Sequence, residues 1–99
     1  MKKVMVQFSI PGMSVKQYNQ CWDEMRKTGY SNPKGLLHHV GAQQGNNMVA
    51  VDVWESEEAF NEFGKVLMPI FVKMGVTPVQ PEITPVAYEY SGVEAGVPH

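Results

Sequence analysis

The sequence predicts an α+β domain of four strands and two helices in the order βαββαβ, and three observations carry that prediction. Residues 4–10 alternate in polarity, two later stretches carry apolar residues three and four apart behind a serine, and Gln44-Gly45-Asn46-Asn47 separates two apolar runs. In 99 residues these elements make one domain, expected over residues 1–90, with a flexible tail expected over 91–99.

Val4, Val6, Phe8 and Ile10 alternate with Met5, Gln7 and Ser9, which puts the two sets on opposite faces of strand one. Pro11-Gly12 ends it. Ser14, followed three residues later by Gln17, reads as a capping box, so helix one starts there and runs to about Gly29. Its expected buried stripe is Val15, Tyr18, Trp22 and Met25. After the loop Asn32-Pro33-Lys34-Gly35, strand two runs from Leu36 to about Gln43 and strand three from Met48 to Glu55. The Gly and Asn residues between them tolerate the positive φ of a tight turn. Ser56 caps helix two, and Glu57 and Glu58 suit the positive end of its dipole. The stripe of helix two is Ala59, Phe60, Phe63, Leu67, Ile70, Phe71 and Met74, with Gly75 closing the last turn. Pro69 lacks a backbone donor and predicts a kink or break there. Strand four is expected over Glu82 to Tyr90, with Pro85 favouring an edge or a bulge.

This order is the ferredoxin-like split βαβ pair, with both helices on one face of a four-stranded antiparallel sheet. Both faces of the strands nevertheless carry large apolar groups: Val49, Val51 and Val53 on one side of strand three, and Met48, Ala50 and Trp54 on the other. A bare second face is a larger apolar patch than monomers tolerate, so a second copy packed sheet to sheet is expected, giving a dimeric α+β barrel. The alternative cover is the chain's own C-terminal tail.

The charge balance, 8 Lys+Arg against 10 Asp+Glu, argues against a nucleic-acid partner or an anionic membrane surface. No apolar run approaches the roughly 20 residues that span a bilayer, and the first ten residues read as a strand, not an export signal. The single Cys21 forms no intrachain disulfide, and a cytoplasmic location is expected. Cys21 itself reads as a small buried or half-buried residue. His38 and His39 are adjacent on a strand and point to opposite faces, so no metal site is expected.

The polar residues in the strands are the candidates for chemistry: Gln7 and Ser9, His39 and Gln43, and Asp52 beside Trp54. With a two-residue Gly45-Asn46 loop, Gln44 pairs with Asn47 and His39 stands opposite Asp52, where an imidazole–carboxylate bond can form. A loop longer or shorter by one residue puts His38 there instead. Three roles fit the His39–Asp52 pair: a structural hydrogen bond beneath a helix, an oriented general base, or a ligand contact. Tyr18, Trp22, Trp54 and the phenylalanines of helix two form an aromatic set that reads as core or as the wall of a pocket for a small planar ligand.

The run Val51-Asp52-Val53-Trp54-Glu55-Ser56-Glu57-Glu58-Ala59-Phe60 with Phe63, the segment Gly35-Leu36-Leu37-His38-His39, and Pro69 resemble the antibiotic biosynthesis monooxygenase-like family of the dimeric α+β barrel superfamily. The likeness covers residues 3 to 90. It implies a ferredoxin-like protomer whose sheet packs on its mate's, and a pocket between sheet and helices served by an amide on strand one and a Trp on strand three. Gln7 and Trp54 match those positions, although the family's amide is usually Asn. The family holds cofactor-free oxygenases of aromatic phenols and quinones, and haem-degrading enzymes with a His ligand on helix two. Here that stretch reads Phe63-Gly64-Lys65, which speaks against iron coordination in that manner.

The resulting expectation is a homodimer that binds a small aromatic or apolar molecule, and that, if it is an enzyme, is an oxidoreductase working as a monooxygenase with no cofactor. His39 and Asp52 are its catalytic candidates, and Gln7, Tyr18, Trp22 and Trp54 its substrate-binding candidates. The alternatives are a non-catalytic binding or regulatory dimer, and an isomerase using the His as a proton shuttle.

Overall fold

The computed structural model describes residues 2–77, 79–90 and 92. Strand β1 (Val4–Pro11) lies inside a sheet ordered β2-β3-β1-β4, with β2 (Leu36–Gln44), β3 (Asn47–Trp54) and β4 (Glu82–Pro85), every neighbouring pair antiparallel. Helices α1 (Val15–Lys27) and α2 (Glu57–Met74) connect β1 to β2 and β3 to β4, which completes the predicted ferredoxin-like βαββαβ arrangement.

The predicted caps form. Ser14 accepts from the Gln17 N–H while the Gln17 side chain accepts from the Ser14 N–H, both at 3.1 Å, so the start of α1 is fixed from both sides. Ser56 accepts from the Ala59 N–H at 3.1 Å, and Gly75 takes the left-handed conformation that stops α2. The β2–β3 turn is the two residues Gly45-Asn46, with Gln44 paired to Asn47. Only Gly45 there has positive φ, 58°, the mark of a type II′ turn.

Both helices pack on one sheet face. Its floor is Val4, Val6, Phe8 and Ile10 of β1 paired with Trp54, Asp52, Ala50 and Met48 of β3. Cys21 and Met25 of α1 and Phe60, Phe63, Ile70 and Phe71 of α2 close the core above it. Burial pushes the Cys21 thiol up from its ordinary pKa, and its Sγ lies 3.4 Å from Met74 Sδ, as suits a small unreactive core residue. Glu24 of α1 ties to Lys73 of α2 at 2.5 Å and to Lys27 at 3.1 Å, and these two ammonium groups hold its carboxyl below the usual carboxylate range.

The opposite face carries Met5, Val49, Val51 and Val53, all half-buried, and Val40, which is 63% exposed. No helix among the described residues packs on it, but Glu89 bonds both Lys3 and His38 and so carries the segment after β4 across its Met5–Val53 end.

Three expectations are corrected. Val15 is exposed and does not belong to the buried stripe of α1. The break allowed for at Pro69 does not occur: helix α2 continues through it, because that residue stands on the solvent side, where the carbonyl it leaves without a partner need not be buried. Strand β4 stops at Pro85 and does not reach Tyr90. Beyond it the Val86 N–H donates to Lys3 O at 3.0 Å, and Glu89 binds Lys3 at 2.6 Å and His38 at 2.8 Å, which leaves Tyr88 and Tyr90 outside any ladder and exposed. The edge position of Pro85 is as predicted. Of the expected tail, 91 and 93–99 lie outside the described residues.

Candidate functional site

His39 and Asp52 face each other across β2 and β3, in the register that a two-residue hairpin dictates. Leu37 is an extra residue at the far end of β2, since Leu36 pairs with Trp54 and His38 with Val53, and this bulge absorbs the mismatch away from His39. His38 then points to the open face and His39 beneath the helices.

The side chains form one chain of hydrogen bonds. His39 Nδ1 bonds Asp52 Oδ1, and the Trp54 indole N–H donates to Asp52 Oδ2 at 3.2 Å. Asp52 is 4% exposed, so its carboxylate has these two donors in place of water. Since a carboxylate only accepts, Nδ1 carries a hydrogen, and in the neutral form of the ring Nε2 is the acceptor. The Tyr18 hydroxyl is bonded to that Nε2 and in the neutral form of the ring donates to it.

Tyr18 reaches His39 from α1 by lying across β2. Its ring is nearly parallel to the imidazole, 7° apart with centroids at 5.9 Å, and Trp22 meets the same imidazole edge-on at 5.0 Å. The passage exists because residue 41 is glycine: a Cβ there would overlap the Tyr18 hydroxyl. Burial raises the Tyr18 pKa above 10.0, the Trp22 side chain bonded to it opposes this, and the Asp52 charge adds to it. The phenol is therefore held as a protonated donor.

A cavity of about 50 Å³ opens beside this chain, walled by Tyr18, Trp22, His39 and Asp52 on one side and by apolar core residues on the other. Four of the predicted site residues thus come together. Trp54 is fully buried behind Asp52, packed on Phe63 at 5.0 Å and Phe60 at 5.8 Å, and it positions the carboxylate without lining the cavity. Gln7 does not join them. It pairs with Val51 and Glu82 on the open face, and Ser9 lies on that face too, because the polar set of β1 goes with the valine set of β3. Gln43 bonds the carbonyls of Met13, Gly45 and Asn47 at 3.1–3.2 Å and serves the turn.

Sequence reasoning placed Tyr18 in the pocket wall but missed its bond to the imidazole. Gly41, two residues from His39 on the same strand face, was the available signal, since a glycine inside a strand marks close approach by another group.

No family model matches the sequence, and no curated protein matches it. Solved structures do. A dimeric ferredoxin-like protein from an uncultured marine organism superposes with a TM-score of 0.67 at 15% identity, over 94% of this chain and 95% of that one. SnoaB of Streptomyces nogalater, a cofactor-independent oxygenase, gives a TM-score of 0.59 at 13% identity, over 95% of this chain and 100% of that one. A protein of Chloroflexus aurantiacus proposed to be an antibiotic biosynthesis monooxygenase gives 0.63 at 13%, over 90% and 97%. The chain shares the ferredoxin-like α+β fold of these proteins. At these identities the likeness fixes the fold, and within that fold His39, Asp52 and Tyr18 are argued from the geometry of this chain.

Proposed function

We propose that two copies of this chain pair through their open sheet faces, and that each binds a small phenolic molecule against His39 and oxidises it with dioxygen and no cofactor. The observation that carries this reading is the bond from the Tyr18 hydroxyl to His39 Nε2: the accepting nitrogen of an oriented imidazole is already aimed at a phenol. The description of SnoaB as a cofactor-independent oxygenase supports the reaction class, and the dimeric marine protein supports the pairing.

The cavity of about 50 Å³ is well below the roughly 150 Å³ of a cavity known to take up benzene. Tyr18 therefore leaves His39 when a ligand enters, and the ligand's ring takes the place of its own, over Gly41 and against the edge of Trp22. His39 Nε2 then accepts the ligand's hydroxyl proton. Asp52 stabilises the imidazolium, and Trp54 holds Asp52 in place. The phenolate passes an electron to dioxygen, one oxygen atom bonds to a ring carbon, and the other leaves as water. Phenol plus dioxygen gives quinone plus water, so the substrate supplies all the electrons.

Oxygen consumption with a panel of hydroxyquinone-like phenols tests this. Wild type is expected to consume oxygen with at least one of them, and His39→Ala to do so about 100-fold more slowly, the usual contribution of a general base. Saturable binding with no consumption would make the protein a binder. Unchanged turnover in His39→Ala would remove His39 from the mechanism.

A further inference from the structure

We propose that the apolar end of the same cavity is a binding site for a molecule of dioxygen's size and polarity. The proposal rests on the oxygenase reading for the identity of its occupant, but on the cavity alone for its existence.

Three features point to it. The volume of about 50 Å³ admits two or three atoms and excludes a ring. The walls away from His39 are Phe8, Ile10, Met25, Phe63, Leu67 and Phe71, which offer dispersion contacts from sheet, α1 and α2 and no polar side-chain atom. The polar groups on the remaining wall are bonded to one another, Tyr18 to His39, His39 to Asp52 and Asp52 to Trp54. Among the described residues no buried side-chain nitrogen or oxygen lacks a partner. A water in a cavity needs two to four polar partners, and the His39 Nδ1, Tyr18 and Trp54 donors of this wall are already engaged with one another's groups, which leaves only acceptor lone pairs for it. The space suits a small apolar molecule. Dioxygen is the small apolar molecule with a use beside a base that ionises a phenol, and Tyr18, Trp22 and His39 border the cavity, so an occupant lies next to any ring bound over Gly41.

Xenon, an apolar atom of suitable size, is the probe. Crystals of wild type under xenon pressure are expected to hold one xenon between Phe63 and Leu67 on the helix side and Ala50 on the sheet side. Ala50→Val, which adds two methyl groups to the floor, is expected to lose it and to raise the KM for oxygen several-fold. Should Ala50→Val fail to fold, Leu67→Phe fills the cavity from the helix side and is read in the same way. A cavity without xenon, or with ordered water in its place, overturns the site and leaves the role of His39 standing. Xenon seated in a wild type that consumes no oxygen with any phenol overturns both the oxygenase reading and the assignment to dioxygen.

Discussion

The Nδ1 of His39 is bonded to Asp52 across the β2–β3 ladder, and this contact decides which nitrogen of the ring is free to act as a base. A 4%-exposed carboxylate that accepts from both His39 and Trp54 cannot lose either donor without leaving it unpaired in the core. Asp52→Ala is expected to lower the unfolding free energy by about 3 kcal/mol, one to two for each orphaned donor plus the lost packing. Urea denaturation measures it, and a loss below about 1 kcal/mol would contradict a buried, fully used carboxylate.

Tyr18 titrates late. Burial raises its pKa above 10.0, so the folded chain holds the phenol proton more tightly than the unfolded chain does. The stability linked to this group is intact below pH 10.0 and falls as the pH rises from there through the folded value. A spectrophotometric titration of tyrosinate is expected to show a late step that Tyr18→Phe removes. A step unaltered in Tyr18→Phe would contradict the buried position.

Gly41 makes the Tyr18–His39 bond possible. Gly41→Ala places a methyl group against the Tyr18 hydroxyl, and overpacking of this kind costs about 1–3 kcal/mol. The expected outcome is a displaced Tyr18 whose titration returns toward 10.0, read in the same spectrophotometric experiment. A crystal structure of Gly41→Ala with Tyr18 still bonded to His39 would contradict the close approach.

The open sheet face is expected to bury itself against a second copy. Val51 lies on the open side of β3, between Gln7 of β1 and Val40 of β2. Val51→Glu puts a carboxylate into that apolar contact, and light scattering is expected to fall from twice the chain mass to a single chain with the circular dichroism kept. A particle of twice the chain mass in the variant, or of one chain mass in the wild type, would contradict pairing through this face.

Much of the scaffold was legible because its signals are local. Ser14 with Gln17, Ser56, and Gly45-Asn46 each fix one chain direction or register through neighbours in sequence, and the hairpin alone put His39 opposite Asp52. What stayed hidden depends on distant partners. Alternation shows that β1 has two faces but not which of them meets Asp52, so Gln7 was grouped with residues it never faces. The end of β4 was misjudged for the same reason: Glu89 is drawn away by Lys3 and His38, which lie about fifty residues and more from it in sequence. The role of Tyr18 depended on α1 lying across β2, which only Gly41 hinted at.

The central claim is that His39 Nε2 takes the proton of a phenol bound in place of Tyr18. The direct measurement is the phenolate absorbance of 4-nitrophenol titrated with protein near the pH at which half of it is ionised. Wild type is expected to raise that absorbance saturably, Tyr18→Phe to do so at lower protein concentration because the competing hydroxyl is gone, and His39→Gln to leave it flat. A flat response in wild type, or an equal rise in His39→Gln, would contradict the account.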